Sequence, residues 1–323
     1  MSPVAQETAA RLTEIPNLYV EYDALLRLHT RFGVGGPAHV LARTSDPDAF
    51  VAASRVVKSD GLPFVVIGGG TNLVVSDEGY DGVVLQYTAK EIRAQGTRVH
   101  ADAGAVLQDL VDFTIDRGLA GIHTMTGIPG WVGAAVYGNA GAYGRSIDQS
   151  IVSVRFYDGA GIRVFNREQC RFHYRESIFK DRKGWIILST ELELTEADAG
   201  ELRAKADEIL KIRNAKYPPS MKCAGSIFKN LLLAELPEPV QRHVDPKVIR
   251  EGKVPSAYFL ELVGAKGMTN GDIHVADYHA NLIYNAGDGT AEQISQVVDE
   301  LKRRVKDRFG LELEEEVQYV GFA

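Results

Sequence analysis

Ile67-Gly68-Gly69-Gly70-Thr71-Asn72-Leu73 and the longer run Thr126-Gly127-Ile128-Pro129-Gly130-Trp131-Val132-Gly133-Ala134-Ala135-Val136-Tyr137-Gly138-Asn139-Ala140-Gly141-Ala142-Tyr143-Gly144 are the two stretches on which the reading of this chain turns. The first follows Phe64-Val65-Val66-Ile67, an apolar, largely β-branched run that reads as a buried strand delivering a glycine loop. It lacks the Gly-Lys-Ser/Thr of a Walker loop and misses the GxGxxG spacing of a dinucleotide fold. Its physical sense is similar. Residues without Cβ let several backbone N–H groups converge on one anion and tolerate the positive φ this requires. Side chains of Thr71 and Asn72 could add hydrogen bonds to a phosphate. A tight turn between strands fits three glycines equally well. The second run is poor in the Ser, Asp and Lys of a surface loop. It suits backbone lying beside a large flat ligand, with amides facing a pyrophosphate and Tyr137 or Tyr143 near rings. Close packing of backbone against another domain is the competing account, weakened by the presence of two such blocks.

Outward from these loops, Leu18-Tyr19-Val20, residues 39–42, 83–85 and 99–103 read as strands. Asp46-Pro47-Asp48 opens a helix with a capping aspartate and proline at the first helical position. Leu107, Leu110 and Val111 share one face of a helix over 106–117, which Gly118 ends. Residues 153–157, 163–165 and 185–194 alternate like antiparallel strands. Leu202, Ala206, Ile209 and Leu210 mark a helix that closes at Pro218-Pro219. A last helix over 291–309 has a stripe of Ile294, Val297, Val298, Leu301 and Val305, a Thr290/Gln293 capping box and Gly310 after it. The chain finishes with a strand expected over 311–320. Residues 1–16 read as a polar leader or short helix. Without a regular βαβ alternation, the class expected is α+β in several domains.

Composition narrows function by exclusion. The 323 residues are 45% hydrophobic and 24% charged, an ordinary globular balance. No apolar run approaches the roughly 18–20 residues that span a bilayer. The formal net charge of −7, without a long basic run, argues against nucleic acid as a partner. Cys170 and Cys223 are far apart and lack CxxC partners, so neither a disulfide framework nor a zinc site is indicated. With no secretory signal at the N-terminus, a cytoplasmic protein without membrane insertion is expected. No His/Cys/carboxylate spacing suggests a metal, and none is expected.

Further segments bring the two loops into a known pattern. They are His29-Thr30-Arg31-Phe32-Gly33-Val34-Gly35-Gly36, Phe172-His173-Tyr174-Arg175-Glu176-Ser177-Ile178-Phe179-Lys180, Ala224-Gly225-Ser226-Ile227-Phe228-Lys229-Asn230, His279-Ala280-Asn281 and Leu313-Glu314-Glu315-Glu316-Val317. Any one is weak. In this order, from about residue 28 to 321, the chain resembles the UDP-N-acetylenolpyruvoylglucosamine reductases of peptidoglycan synthesis, the MurB family. The resemblance implies an α+β flavoprotein with an FAD-binding fold of the vanillyl-alcohol-oxidase (PCMH) type in two subdomains, 18–88 and 89–212. A C-terminal α+β substrate domain is implied at 213–310, and a return of the C-terminal strand 311–323 to the first subdomain is left open. The short gap after Lys180 places the chain with the shorter, second type of the family.

The same resemblance implies non-covalent FAD, NADPH as co-substrate and UDP-N-acetylglucosamine enolpyruvate as substrate. FAD is expected at Gly68, Gly69, Gly70, Thr71 and Asn72, at Gly127, Ile128, Pro129 and Gly130, and at Asn139, Ala140, Gly141, Ala142, Tyr143 and Gly144. Arg175 matches the arginine that binds the carboxylate side of the developing enolate, a role suited to a permanently charged, bidentate guanidinium. Ser226 matches the proton donor, with Lys229 a group that could assist its reprotonation. Glu316 matches the second acidic residue, with Glu314 the fallback on the same side of an extended segment. Lys216 is expected at the substrate diphosphate, and Tyr174, Asn230 and Asn281 elsewhere on the substrate. His279 is the histidine that the motif marks. Trp131 stands where a small residue is expected, Gly138 where a larger one is, and Leu231 where a proline is; the charged stretch 231–257 has no counterpart in the pattern. A monomer is favoured. Two other readings stay open: a flavin oxidase or dehydrogenase of this fold acting on an alcohol or sugar, and a non-catalytic nucleotide-binding module.

Overall fold

The computed structural model describes residues 3–322; Met1, Ser2 and Ala323, the ends of the leader and of the terminal segment, lie outside the described residues. The chain forms two compact units. The larger comprises residues 1–24, 37–70 and 80–215, and the smaller residues 25–36, 71–79 and 216–323.

In the larger unit, Pro37–Thr44, Phe64–Val66 and Tyr80–Tyr87 pair in parallel, with Val40 opposite Val83 and Phe64 opposite Val83 on the other side. The central strand is buried along most of its length, hence its Val-Val-Leu run. The helix Pro47–Ser59 begins as its sequence dictates: the Asp46 carboxylate accepts from the N–H groups of Asp48 and Ala49. The leader is a helix, Pro3–Thr13, that buries Ala5, Thr8, Ala9 and Leu12 and hydrogen-bonds Thr8 to Asp60 at 2.7 Å. A second, antiparallel sheet orders Ile162–Asn166, Ile151–Tyr157, Ile186–Glu193, Arg98–Asp102 and Ile92–Gln95. One continuous apolar core, including Phe50, Leu85, Leu110, Val136, Phe156 and Leu188, runs through this unit.

In the smaller unit, Lys222–Ser226, Leu282–Asn285, Ile273–Val275 and Thr269–Asn270 form an antiparallel sheet. The helix Ala291–Phe309 packs its stripe of Ile294, Val297, Val298, Leu301 and Val305 into the core of this unit, with the Thr290/Gln293 capping box formed and Gly310 left-handed at φ 69°. Residues 25–36 and 71–79, assigned from sequence to the first subdomain, pack in this unit instead. Phe32, Val34 and Val74 are buried in its core, and the Asp77 carboxylate accepts from the N–H groups of Ala291 and Glu292, 2.9 Å each, at the start of the last helix. The chain end returns as Gln318–Val320, parallel to Leu73–Val75. Residues 311–317, expected as a strand, have no ladder beyond a bridge of Glu315 to Phe228, with Leu311, Leu313 and Val317 buried. The unassigned stretch 231–257 becomes short helical segments, Leu233–Glu235, Glu238–Gln241 and Pro246–Val248, and the paired strands Leu231–Leu232 and Lys253–Val254, anchored by buried Leu236 and Val244.

Candidate functional site

Gly68, Gly69 and Gly70 leave the carboxyl end of a parallel strand in the larger unit, with Gly70 at φ 64°. Within that unit, Ile67 N–H closes the ladder on Leu85 and Gln86 donates to the Gly68 carbonyl, whereas the N–H groups of Gly68, Gly69 and Gly70 donate to no acceptor among the described residues. Three consecutive backbone amides without acceptors are available to an anionic ligand. Trp131 lies against this loop: a Cβ on Gly69 would come within 3.1 Å of its indole ring. A side chain at 69 would therefore need the Trp131 ring to shift by a few tenths of an ångström. At Gly138, in contrast, a Cβ would meet only an ordinary 3.6 Å contact.

The second glycine block behaves differently from the expectation of amides turned to a ligand. Gly127 N–H donates to Gln108 Oε1 at 2.7 Å and Ile128 N–H to Met125 O, while Asn139 and Ala140 N–H close onto the end of the helix Val132–Tyr137. Asn139 is buried at φ 42°, its side chain donating to His173 O and accepting from Asp148 N–H, so it braces the loop. Gly141–Ala142 and Arg145–Ser146 form a hairpin around Tyr143 and Gly144, at φ 53° and 76°. Positive φ at both loop residues is the geometry that matches strand twist. Tyr143 is half exposed. Glycine is required at 141, where a Cβ would lie 2.5 Å from Arg145 O.

Beside this hairpin, His173 and Glu176 close a two-residue turn through both backbone hydrogen bonds, and Arg175 within it has φ 60°. Its guanidinium donates to Gly141 O at 3.0 Å and lies 5.4 Å from the centre of the Tyr174 ring, and Lys180 Nζ donates to Arg175 O at 2.8 Å. A left-handed arginine persists only where its surroundings over-determine it, and such strain clusters at functional positions.

The other expected site residues belong to the smaller unit. Ser226 ends the strand Lys222–Ser226, whose register slips between Cys223 (opposite Tyr284) and Ser226 (opposite Leu282). Gly225 takes φ 78° in that bulge, with open space where its Cβ would be. Glycine is thus needed for conformation, and the bulge re-aims Ser226. Ser226 Oγ lies 3.2 Å from Tyr217 Oη, its one hydrogen-bond partner among the described residues. Lys229 is buried and ion-paired with Glu314, the fallback carboxylate. Glu315 pairs with Lys302 at 2.8 Å. Glu316 is half-buried; its N–H donates to Ile227 O at 2.7 Å and its carbonyl accepts from Asn72 Nδ2 at 2.8 Å. That bond takes the Asn72 side chain to the Glu316 backbone.

Asn281, expected on the substrate, is 2% exposed. It accepts from Phe228 N–H and donates to Phe228 O and Ser256 Oγ, so it clamps the chain just after Ser226 and keeps no group for a ligand. Lys216 Nζ lies 4.9 Å from the centre of the Tyr217 ring, and Lys216 O accepts from Tyr278 Oη at 2.9 Å. Asn230 is half-buried. His279 Nδ1 accepts from Asn281 N–H. Burial, and then the Lys216 charge, push the His279 imidazole down to about 4, so it is neutral near pH 7. Stability from keeping His279 neutral is complete above its ordinary value of about 6.5 and is lost as pH falls towards 4. Denaturant midpoints are therefore expected to fall more steeply over that window in the wild type than in His279→Gln; equal slopes would refute this.

Sequence spacing gave no metal cluster, yet the fold brings Glu91, His100 and Asp102 together with ligand atoms within 4.8 Å. Hydrogen bonding to Asp102 first, and to Glu191, raises the His100 pKa against the effect of burial. Arg93 pairs with Glu91, and His100 with Asp102 and Glu191. Gln108 and Tyr217 are the residues that sequence reasoning missed; neither carries a local motif, and only packing sets Gln108 beneath Gly127 and Tyr217 beside Ser226.

Residues 38–165 match the family model described as FAD binding domain. Fold and glycine loop together define an FAD-dependent oxidoreductase. Residues 217–320 match the model described as UDP-N-acetylenolpyruvoylglucosamine reductase, C-terminal domain. A UDP-N-acetylenolpyruvoylglucosamine reductase of Solibacter usitatus is 59% identical over 311 residues, covering 96% of this chain and 100% of the relative. That of Rubrobacter xylanophilus is 34% identical over 304 residues, 93% and 95% of the two chains. The crystal structure of UDP-N-acetylenolpyruvylglucosamine reductase from Thermus caldophilus matches with a TM-score of 0.74 at 28% identity, over 94% of this chain and 99% of that one. The chain belongs to the UDP-N-acetylenolpyruvoylglucosamine reductase family. Its fold is the vanillyl-alcohol-oxidase type of FAD-binding fold with a C-terminal α+β domain.

Proposed function

We propose that this chain reduces UDP-N-acetylglucosamine enolpyruvate to UDP-N-acetylmuramate, with NADPH as reductant, through the residues placed above. The observation that carries the cofactor assignment is the row of open amides at Gly68, Gly69 and Gly70, which fits a pyrophosphate. Thr71 and Asn72, the 127–130 turn and the 139–144 hairpin complete the set that would hold FAD. When bound, FAD supplies hydride transfer between NADPH and the substrate.

The protein's own part is charge and proton. Hydride addition at C3 of the enolpyruvyl group leaves negative charge at C2 and on the carboxylate. Arg175 binds that carboxylate and opposes the charge; its guanidinium keeps its proton throughout. Ser226 delivers the proton to C2, and Glu316 is the acidic residue on the enol side. Lys216 binds the diphosphate, and Tyr174 and Asn230 position the sugar nucleotide. Asn281 serves by holding the chain behind Ser226.

The chain acts in the cytoplasm, and a monomer is favoured. Both cysteines are buried and free, and burial pushes the Cys170 thiol up to about 12, as suits a reducing compartment. No helix among the described residues is long and apolar enough to cross a membrane. The test is spectroscopic: FAD-reconstituted protein is expected to be yellow, to bleach with NADPH, and to recover colour with the enolpyruvyl substrate faster than with air. Colourless protein would sink the flavoprotein reading, and rapid recovery with oxygen alone would favour an oxidase.

A further inference from the structure

We infer that Tyr217 is a positioning residue for Ser226 that resupplies its proton as Ser226 gives it up, so that the two hydroxyls act as a short relay. This rests on the reading of Ser226 as proton donor. Three observations support it, all within the smaller unit. The first is the 3.2 Å contact between Tyr217 Oη and Ser226 Oγ, the one hydrogen bond of the serine hydroxyl among the described residues. With the phenol donating, Ser226 keeps its own hydrogen for the substrate.

The second is chemical. An aliphatic hydroxyl that loses a proton becomes a strongly basic alkoxide, whereas a phenol ionises near 10 as a class. A phenol within hydrogen-bond reach therefore lowers the cost of emptying the serine. The third is electrostatic. Lys216 Nζ lies 4.9 Å from the Tyr217 ring centre, where it stabilises negative charge developing on the ring. Tyr278 holds the Lys216 backbone by its hydrogen bond to the carbonyl. His279, its ring centre 6.5 Å from that of Tyr217, is neutral near pH 7 and so adds no second positive charge there.

The step balances. The Ser226 O–H bond breaks as the C2–H bond forms, the Tyr217 O–H bond breaks as that of Ser226 re-forms, and the phenolate left beside Lys216 recovers a proton from water after product leaves. No electrons move in the relay; the hydride comes from NADPH by the established chemistry.

The experiment compares FAD-loaded wild type, Tyr217→Phe, Ser226→Ala and the double variant by stopped flow. Tyr217→Phe is expected to leave bleaching by NADPH unchanged and to slow reoxidation by the enolpyruvyl substrate by about 10- to 100-fold. In mixed H2O/D2O its reoxidation rate should depend linearly on deuterium content, as for one proton in flight, where the wild type curves as for two. Adding Tyr217→Phe to Ser226→Ala should cost nothing more. A merely structural tyrosine would slow both half-reactions or leave the isotope curvature intact, and either result overturns the relay. If Ser226→Ala reoxidises at the wild-type rate, the donor assignment falls, and the relay with it. If Ser226→Ala fails and Tyr217→Phe does not, only the relay falls.

Discussion

Ser226→Ala is expected to bleach with NADPH at the wild-type rate and to lose about 10²- to 10⁴-fold in reoxidation by the enolpyruvyl substrate, the range that a positioned general acid contributes. The asymmetry is the diagnostic part. NADPH oxidation needs no proton at C2, so removing a hydroxyl that serves C2 leaves that half-reaction alone. The fold should tolerate the change. Ser226 is half-buried at the end of a strand, and the hydrogen bond lost with Tyr217 contributes roughly 0.5–1.5 kcal/mol. Stopped-flow traces of the two half-reactions decide the matter. An equal fall in both would remove Ser226 from the role of proton donor.

Arg175→Gly is expected to separate stability from chemistry. At φ 60°, a non-glycine residue carries roughly 1–2 kcal/mol of backbone cost, which glycine does not. Against this, glycine gives up the charged hydrogen bond to Gly141 O, worth roughly 1.5–3 kcal/mol, and packing against Tyr174. The relief of backbone cost offsets part of that loss, so the urea midpoint should fall only modestly. Activity should not be spared. Removing a charge aimed at a developing enolate costs about 10²- to 10³-fold, by analogy with loss of one oxyanion donor. Arg175→Lys should recover part of this, because it restores charge without the two-pronged geometry. A large loss of stability with turnover intact would make Arg175 a scaffold residue.

Much of the molecule was legible before any coordinates. The Asp46-Pro47 cap, the Thr290/Gln293 box and Gly310 all formed where the sequence put them, because a cap is decided by residues within one turn of the helix. The bulged Gly225 and the left-handed Gly70 and Gly144 likewise follow from what only glycine does cheaply. Membership of the reductase family was carried by short motifs in a fixed order. Legibility ended where a group's partner lies far along the chain. Nothing near Asn281 announces that its amide is spent on Phe228 and Ser256, and nothing near Lys229 announces Glu314.

The two glycine blocks draw the line most sharply. The sequence by itself determined that backbone must run there without side chains, and in which family's order. Which of their amides remain open was decided by tertiary structure alone. Gln108 takes up Gly127 N–H from a neighbouring helix, while packing supplies no acceptor among the described residues of the unit for Gly68, Gly69 or Gly70. Likewise Thr71 and Asn72 leave the unit of the glycines they follow, because Val74 finds its burial, and Asp77 its helix terminus, in the other unit. The physical reason is range. Conformational preference acts over a few residues and is written locally, whereas hydrogen-bond partners and burial depend on which distant segments share a core.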